Sequence, residues 1–277
     1  MKPQSPSHPL RLAFIGGGNM ATAIVGGLLA SGMPAQHISV IDPNADQRAR
    51  LQANLGVVCH AEAGPFLQEA DGVIWAVKPQ TFKAAALSCA AWTSSALHIS
   101  VAAGIRTDSM AQWLGTERLV RTMPNTPALL GQGTTGLFAR AAVTQDERDH
   151  VQHILQATGR LIWVASEADL DAVTALSGSG PAYVFYFLEA MRDAGVALGL
   201  PQDTAMALAT GTFLGAAHLA QSSDEPPQVL RERVTSKGGT TYAALTHMEQ
   251  HEIKRHFVDA MYAAHRRAAE LGDEFGA

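Results

Sequence analysis

Residues 235–241 read T-S-K-G-G-T-T and lead into an apolar helical pattern. Adjacent glycines let backbone N–H groups converge, and a helix N-terminus adds partial positive charge, so this stretch can hold an anion. An ordinary loop with a hydroxyl N-cap would use the same residues, because Ser and Thr cap helices widely. A second glycine cluster, G-G-G-N-M-A at 16–21, fits the pattern G-x-G-x-x-A. Gly16 would make the tight turn, Gly18 would let a pyrophosphate approach the backbone, and Ala21 would permit close helix–strand contact. The helix that follows would offer its N-terminus to the phosphates.

Four further stretches could add to such a site. Asp42 ends an apolar run, 21 residues after Ala21. There a carboxylate would hold an adenosine ribose 2′-hydroxyl and repel a 2′-phosphate, favouring NAD over NADP. Asn44 and Arg48 on the next turn could instead receive a phosphate, and D-P-N also reads as a plain turn and helix start. A-V-K-P-Q (76–80) brings Lys78 to the end of another run, where it would meet ligand charge or simply be solvated ahead of Pro79. A-A-G (102–104) has the same address with small residues. M-P-N-T-P (123–127) is a loop stiffened by two prolines that presents Asn125 and Thr126. In S-G-S-G-P-A-Y (177–183), helix capping by Ser179 and Gly180 is sufficient explanation. Cys59 and Cys89 lack C-x-x-C spacing, the histidines are expected to offer no metal-like H-x-x-x-H or H-E-x-x-H pair, and no G-x-S-x-G elbow occurs. No metal site is expected, and hydrolase chemistry loses support.

Such residues work only if a scaffold gathers them. From Leu10 to about Val164, short β-rich runs (10–15, 38–41, 72–77, 97–101, 119–123) alternate with stretches long enough for crossover helices. This predicts a doubly wound, mostly parallel sheet covered on both faces, with runs at 134–138 and 160–164 extending it. Ligands bind such sheets at the carboxyl ends of the strands, which is where the stretches above fall. Residues 168–275 show no strand pattern, only helical ones at 180–198, 201–221, about 226–234, 240–250 and 253–271. The expected organisation is a flexible tail (1–9), a Rossmann-like dinucleotide-binding domain (10–166) and an all-α substrate and dimerisation domain (167–277). Gly211 and Gly215, one turn apart on an Ala-rich helix, suggest close helix packing, and so apolar a helical half suggests a subunit interface.

The 277 residues are 47% hydrophobic with a net charge of −5 and no basic block, which argues against nucleic acid as a partner. The polar, proline-rich start lacks the apolar core of a signal peptide, and the stretch around 204–220 carries Thr204, Thr210, Thr212 and His218, a poor membrane span. A cytoplasmic protein without membrane partners is the expectation.

From about Leu12 to about Leu271 the chain resembles the 1-pyrroline-5-carboxylate reductase family. The resemblance is carried by F-I-G-G-G-N-M-A, A-V-K-P-Q, S-V-A-A-G-I, R-T-M-P-N-T-P-A-L, A-L-S-G-S-G-P-A-Y and V-T-S-K-G-G-T-T. It implies reduction of a cyclic imine to L-proline, the last step of proline biosynthesis, with hydride from NADPH or NADH. It implies a homodimer with intertwined helical domains, often assembled further into a decamer, a pentamer of dimers. The dinucleotide would lie on Gly16, Gly17, Gly18, Asn19 and Met20, on Asp42 and Asn44, on Ala76, Val77, Lys78 and Pro79, on Ala102, Ala103 and Gly104, and on Asn125. Ser236, Gly238, Gly239 and Thr240 would cradle the substrate carboxylate, and the Thr241 hydroxyl would reach the ring nitrogen as the catalytic side chain. Where the family usually shows S-P-G-G-T-T, this chain has Lys237, which either loosens the loop or attracts the carboxylate. The motifs measure ring size poorly, so another cyclic imino acid is an alternative substrate. A nucleotide-binding protein without catalysis is a further alternative, disfavoured by the intact glycines.

Overall fold

The computed structural model describes residues 10–276; the expected tail at 1–9 lies outside them. β1 (Leu12–Ile15), α1 (Asn19–Ala30), β2 (Ile38–Ile41), α2 (Ala45–Leu55), β3 (Val58–His60), β4 (Gly72–Trp75), α3 (Pro79–Thr93) and β5 (Leu97–Ser100) alternate, except that a 3-10 turn (Pro65–Glu69) stands in place of a helix between β3 and β4. α4 (Thr107–Leu114), β6 (Leu119–Met123), β7 (Gly133–Ala139), α5 (Gln145–Leu155) and β8 (Gly159–Trp163) follow. The strands form one sheet in the order β3-β2-β1-β4-β5-β6-β7-β8. β1 to β6 are parallel, β7 runs antiparallel to β6, and β8 is parallel to β7. The strand order reverses between β1 and β4, the place where doubly wound sheets open a crevice for a ligand.

The strands read as continuous apolar runs because both faces are covered. In β1, Leu12 and Phe14 enter one core with Ile24, Leu28, Val40 and Ile74, while Ala13 and Ile15 enter the other with Val73, Trp75 and Phe82. Inside the second core Trp75 Nε1 donates to His98 Nδ1 at 3.0 Å, and His98 Nε2 donates to the Thr93 carbonyl at 3.0 Å. His98 is thereby held as the neutral ring, and burial pushes its pKa down to about 4.

The rest is helical: α6 (Asp169–Val173), a π turn (Thr174–Gly178), α7 (Gly180–Ala197), α8 (Gln202–Gln221), α9 (Pro227–Arg233), α10 (Thr240–Gln250) and α11 (Ile253–Phe275). Ser179 has helical φ and ψ of −83° and −16° and its N–H donates to the Thr174 carbonyl. It therefore carries the chain through a bulge into α7 and does not cap it as expected.

Two compact units result, residues 10–179 with 264–276, and residues 180–263. In the second, Gly195 packs on Ala205, where an added Cβ would lie 2.7 Å from the Ala205 Cβ, and Phe257 meets Tyr183 and Phe187 edge-on. Gly211 and Gly215, the pair expected to mark close packing, have open space where a Cβ would stand. Among residues 180–263 only Ala205 and Ala209 are buried, while Phe185, Tyr186, Leu198, Leu219 and Val234 are each more than half exposed. Among the described residues no helix is long and apolar enough to cross a membrane.

Candidate dinucleotide and anion sites

The glycine turn after β1 is built against its neighbours. Gly16 has φ +94°, a region that favours glycine, and a Cβ there would lie 2.6 Å from the Ala76 carbonyl oxygen and 3.0 Å from Val77 Cγ1. The turn thus passes directly under the A-V-K-P-Q segment, whose Ala76 N–H continues the ladder to Ile15. At Gly17 an added Cβ would strike Leu51 Cδ1 at 2.6 Å and approach Asp42 Oδ2 at 3.2 Å. At Gly18 it would meet nothing within 4 Å. Gly18 is the N-cap of α1 and has no side chain to satisfy the first N–H groups of Asn19, Met20 and Ala21. Open space over uncapped amides at a helix N-terminus suits a pyrophosphate.

Asp42 lies at the rim of this turn. Its Oδ2 accepts from Gly17 N–H at 2.9 Å and its Oδ1 from Asn44 N–H at 2.9 Å. Asn44 Oδ1 caps α2, accepting from Asp46 and Gln47 N–H, so Asn44 acts as a helix cap on this face. Arg48 Nη1 donates to the carbonyls of Asp42 (2.7 Å) and Pro43 (2.9 Å). Gln47 Nε2 ties the turn from the other side by donating to Gly17 O at 2.5 Å. No sequence signal marked Gln47, because its role depends on α2 folding back beside the turn. Cys59 on β3 is close by, and burial raises its thiol pKa, with Arg48 lowering and Asp42 raising it. Burial likewise lowers His60, which stacks on Phe66.

The other strand ends differ in what they do. Lys78 is the N-cap of α3, and Pro79 takes the first helical position, as its fixed φ prefers. Ala102, the first residue of A-A-G, is buried, with its N–H bonded to Ser100 Oγ at 3.2 Å. Gly104 has φ +72°, but the atoms near its missing Cβ are Phe275 Cδ2 (3.2 Å) and Leu271 Cβ (3.3 Å). Its smallness accommodates the end of α11, which is also held by Arg106 bonds to Asp273 and to the Ala269 carbonyl. Asn125 turns inward as well. Its Nδ2 donates to the Ser177 carbonyl (3.1 Å) and Oγ (3.2 Å), and its Oδ1 accepts from Thr134 N–H (2.9 Å). The whole amide is occupied in joining the proline-stiffened loop to β7 and the π turn, so it positions backbone here and has no donor left for a ligand.

In the helical unit, residues 235–241 form a tight turn into α10. Gly239 N–H donates to the Ser236 carbonyl at 2.9 Å, and Gly238, at φ +75°, takes the third position of that four-residue turn. Gly239 is the N-cap of α10 and, like Gly18, leaves the first amides without a capping side chain. Ser236, Lys237 and Thr240 are exposed and Thr241 is half-buried. A Cβ on Gly238 would meet nothing within 4 Å. Lys237 occupies the second position of the turn, where a proline is commonly found, so the family's S-P-G-G and this chain's S-K-G-G suit the same geometry. His247 on α10 and His251, its C-cap, do form an H-x-x-x-H pair with the i, i+4 spacing of helical metal ligands, which corrects the expectation that the chain has none. Their rings are tilted by 33° with centroids 4.1 Å apart, and His251 Nδ1 donates to the His247 carbonyl at 2.8 Å. Among the described residues no three His, Cys, Asp or Glu side chains are grouped to hold a metal ion.

Comparison with known proteins agrees with both halves. Residues 167–271 match the family model described as pyrroline-5-carboxylate reductase dimerisation, and residues 11–104 match that described as NADP oxidoreductase coenzyme F420-dependent. The chain is 45% identical over 268 residues to pyrroline-5-carboxylate reductase of Pseudomonas aeruginosa, covering 96% of this chain and 98% of that one. It is 38% identical to the Pisum sativum pyrroline-5-carboxylate reductase, covering 96% and 97%. The pyrroline-5-carboxylate reductase structure from Coxiella burnetii superposes with a TM-score of 0.88 at 39% identity, covering 95% of this chain and 99% of that one. The Plasmodium falciparum pyrroline carboxylate reductase, solved with NADP bound, gives 0.85 at 28% identity, covering 95% and 98%. With relatives this similar along nearly its whole length, the chain belongs to the pyrroline-5-carboxylate reductase family.

Proposed function

We propose that the protein carries out its family's reaction, reducing 1-pyrroline-5-carboxylate to L-proline with NADH or NADPH, through the residues assigned below. The observation that carries this is the likeness to the Pseudomonas aeruginosa reductase, 45% identity over 96% of the chain, which spans both the glycine turn and the 235–241 loop. When bound, the reduced nicotinamide supplies the hydride. The chain's part is binding and orientation, the larger share of the work in cofactor chemistry.

The uncapped amides of α1 at Asn19 and Met20, with the open face over Gly18, hold the pyrophosphate. Gly16 and Gly17 keep that turn low enough to fit under Ala76 and Val77 and beside Asp42. Lys78, Pro79, Ala102 and Ala103 line the neighbouring strand ends. Asn125 and Gly104 serve the site by fixing the loops they sit in. At the start of α10 the amide of Thr240, on the turn shaped by Ser236, Gly238 and Gly239, receives the substrate carboxylate, favoured by the helix dipole. The Thr241 hydroxyl orients the ring nitrogen, and the proton comes ultimately from water.

The helical unit supports a homodimer, because its exposed aromatic and aliphatic side chains need a partner surface. A pentamer of such dimers is our reading of the larger assembly. The two unpaired thiols, Cys59 and Cys89, suit a reducing cytoplasm.

Purified protein, shown to be folded, should form proline from synthetic 1-pyrroline-5-carboxylate with NADH or NADPH. Absence of proline with either cofactor would overturn the assignment. Light scattering should find no monomer at micromolar concentration, and an active monomer would refute the dimer.

A further inference from the structure

We infer that the adenosine end of the site is built for an unphosphorylated ribose, so that this chain prefers NADH to NADPH; the inference rests on the reading that the glycine turn binds a dinucleotide. The argument is an inventory of donors and charges at the carboxyl end of β2. A 2′-phosphate there needs N–H donors or a cation; the main-chain N–H groups nearby are engaged, and Arg48 is held through Nη1, leaving its Nε and Nη2 N–H groups as the donors on this face. The Asn44 N–H is given to Asp42 Oδ1 at 2.9 Å. The Asp46 and Gln47 N–H groups, the start of α2, are given to Asn44 Oδ1 at 2.9 and 3.2 Å. Arg48 on the first turn of α2 has Nη1 donating to the carbonyls of Asp42 and Pro43 at 2.7 and 2.9 Å.

Beside that one cation stand two carboxylates. Both Asp42 oxygens are anchored, Oδ2 by the Gly17 N–H at 2.9 Å and Oδ1 by Asn44, so the carboxylate cannot swing aside without giving up two bonds. Asp46 adds a second acid on the first turn of α2. An ionised carboxylate has about four lone-pair positions, so with one bond at each oxygen there is still capacity to accept from a 2′-hydroxyl. A dianionic phosphate at the same distance meets the like charge of Asp42 and Asp46, against which only the remaining N–H groups of Arg48 can be set.

The test is calorimetric titration of the full-length protein with ADP-ribose and with 2′-phospho-ADP-ribose, fragments that lack the reacting ring and therefore report binding alone. For the unaltered protein, ADP-ribose should bind at least about tenfold more tightly. The substitution Asp42→Asn keeps the shape and an acceptor oxygen while removing the charge, and it should reduce that ratio at least about fivefold. Equal or tighter binding of the 2′-phosphorylated fragment to the unaltered protein overturns the inference without any variant. So does a ratio that Asp42→Asn leaves unchanged. If proline forms equally well with both cofactors, the proposed function stands and the NADH preference falls. If neither fragment binds and no proline forms, both fall together.

Discussion

Gly16 and Gly18 are two positions apart in one turn, and the same substitution should do opposite things at each. At Gly16, alanine would be placed at φ +94° with its Cβ 2.6 Å from a backbone carbonyl oxygen and 2.8 Å from the carbonyl carbon of Ala76. Holding a non-glycine residue in that region costs about 1–3 kcal/mol. The overlap is with backbone in the middle of the sheet, so relieving it costs about 1–3 kcal/mol more. Together that is about 2–6 kcal/mol, a large share of the 5–15 kcal/mol typical of a folded domain. At Gly18, φ is −67° and ψ −171°, ordinary for alanine, and nothing lies within 4 Å of the added methyl. Replacing an N-cap glycine with alanine costs at most about 1 kcal/mol. The methyl would, however, occupy the space through which the pyrophosphate reaches the α1 amides. Gly16→Ala should therefore lower the melting temperature by roughly 5–20 °C. Gly18→Ala should melt within about 3 °C of the parent while its Kd for NADH rises tenfold or more, equivalent to about 1.4 kcal/mol. Differential scanning calorimetry and titration on the same preparations separate the two. A Gly18→Ala protein that binds both dinucleotides like the parent would mean that the open face over Gly18 is not where the phosphates lie, and a Gly16→Ala protein of parental stability would refute the crowding argument.

Thr241→Val should lower kcat/KM for the imine roughly tenfold to a hundredfold by leaving a buried nitrogen unpaired, with dinucleotide affinity unchanged; normal turnover with a lowered melting temperature would reduce Thr241 to a helix-start residue. Lys237→Pro should stabilise the turn at 236–239 by about 0.4–1 kcal/mol with turnover retained, as read from urea midpoints, and a destabilised protein would show that the second turn position is not compatible with proline. His98, at about 4 when folded against an ordinary 6.5, takes up its proton more readily when unfolded. Its contribution is therefore fully present above pH 6.5 and is lost as pH falls toward 4, a change of about 3 kcal/mol. Urea unfolding between pH 7 and 4.5 should show that loss, and His98→Gln should flatten the slope; an identical slope in the variant would reject the assignment.

What local pattern can encode was legible in the sequence. The helices at 180–197, 202–221, 227–233 and 240–250 lie within a residue or so of where apolar periodicity and Gly or Pro punctuation place them, because those signals act over a single turn. The glycine turn was legible for the same reason, since a strand, three glycines and a helix in succession leave few other conformations. β3 was missed because V-C-H is only three residues long, on the edge of the sheet and partly exposed, so no apolar run announces it. The direction of β7 was not legible either, because alternation of side chains is the same in parallel and antiparallel pairs.

The tertiary structure decided which of the polar and small residues at the strand ends face a ligand and which face the protein. Gly104 is small for Leu271 and Phe275, more than 160 positions away, and Asn125 is occupied by Thr134 and Ser177. Asp42, Asn44 and Arg48 looked like competing phosphate and hydroxyl ligands in the sequence, and only their mutual bonds show that Asn44 is a helix cap, that Arg48 is tied to the Asp42 and Pro43 carbonyls through Nη1, and that the carboxylate keeps acceptor capacity. Residue type states what a side chain can bond to. Which of those bonds it makes depends on atoms brought near by the rest of the chain, and a buried polar group takes the nearest satisfying partner because leaving it unpaired costs more than almost any other local choice.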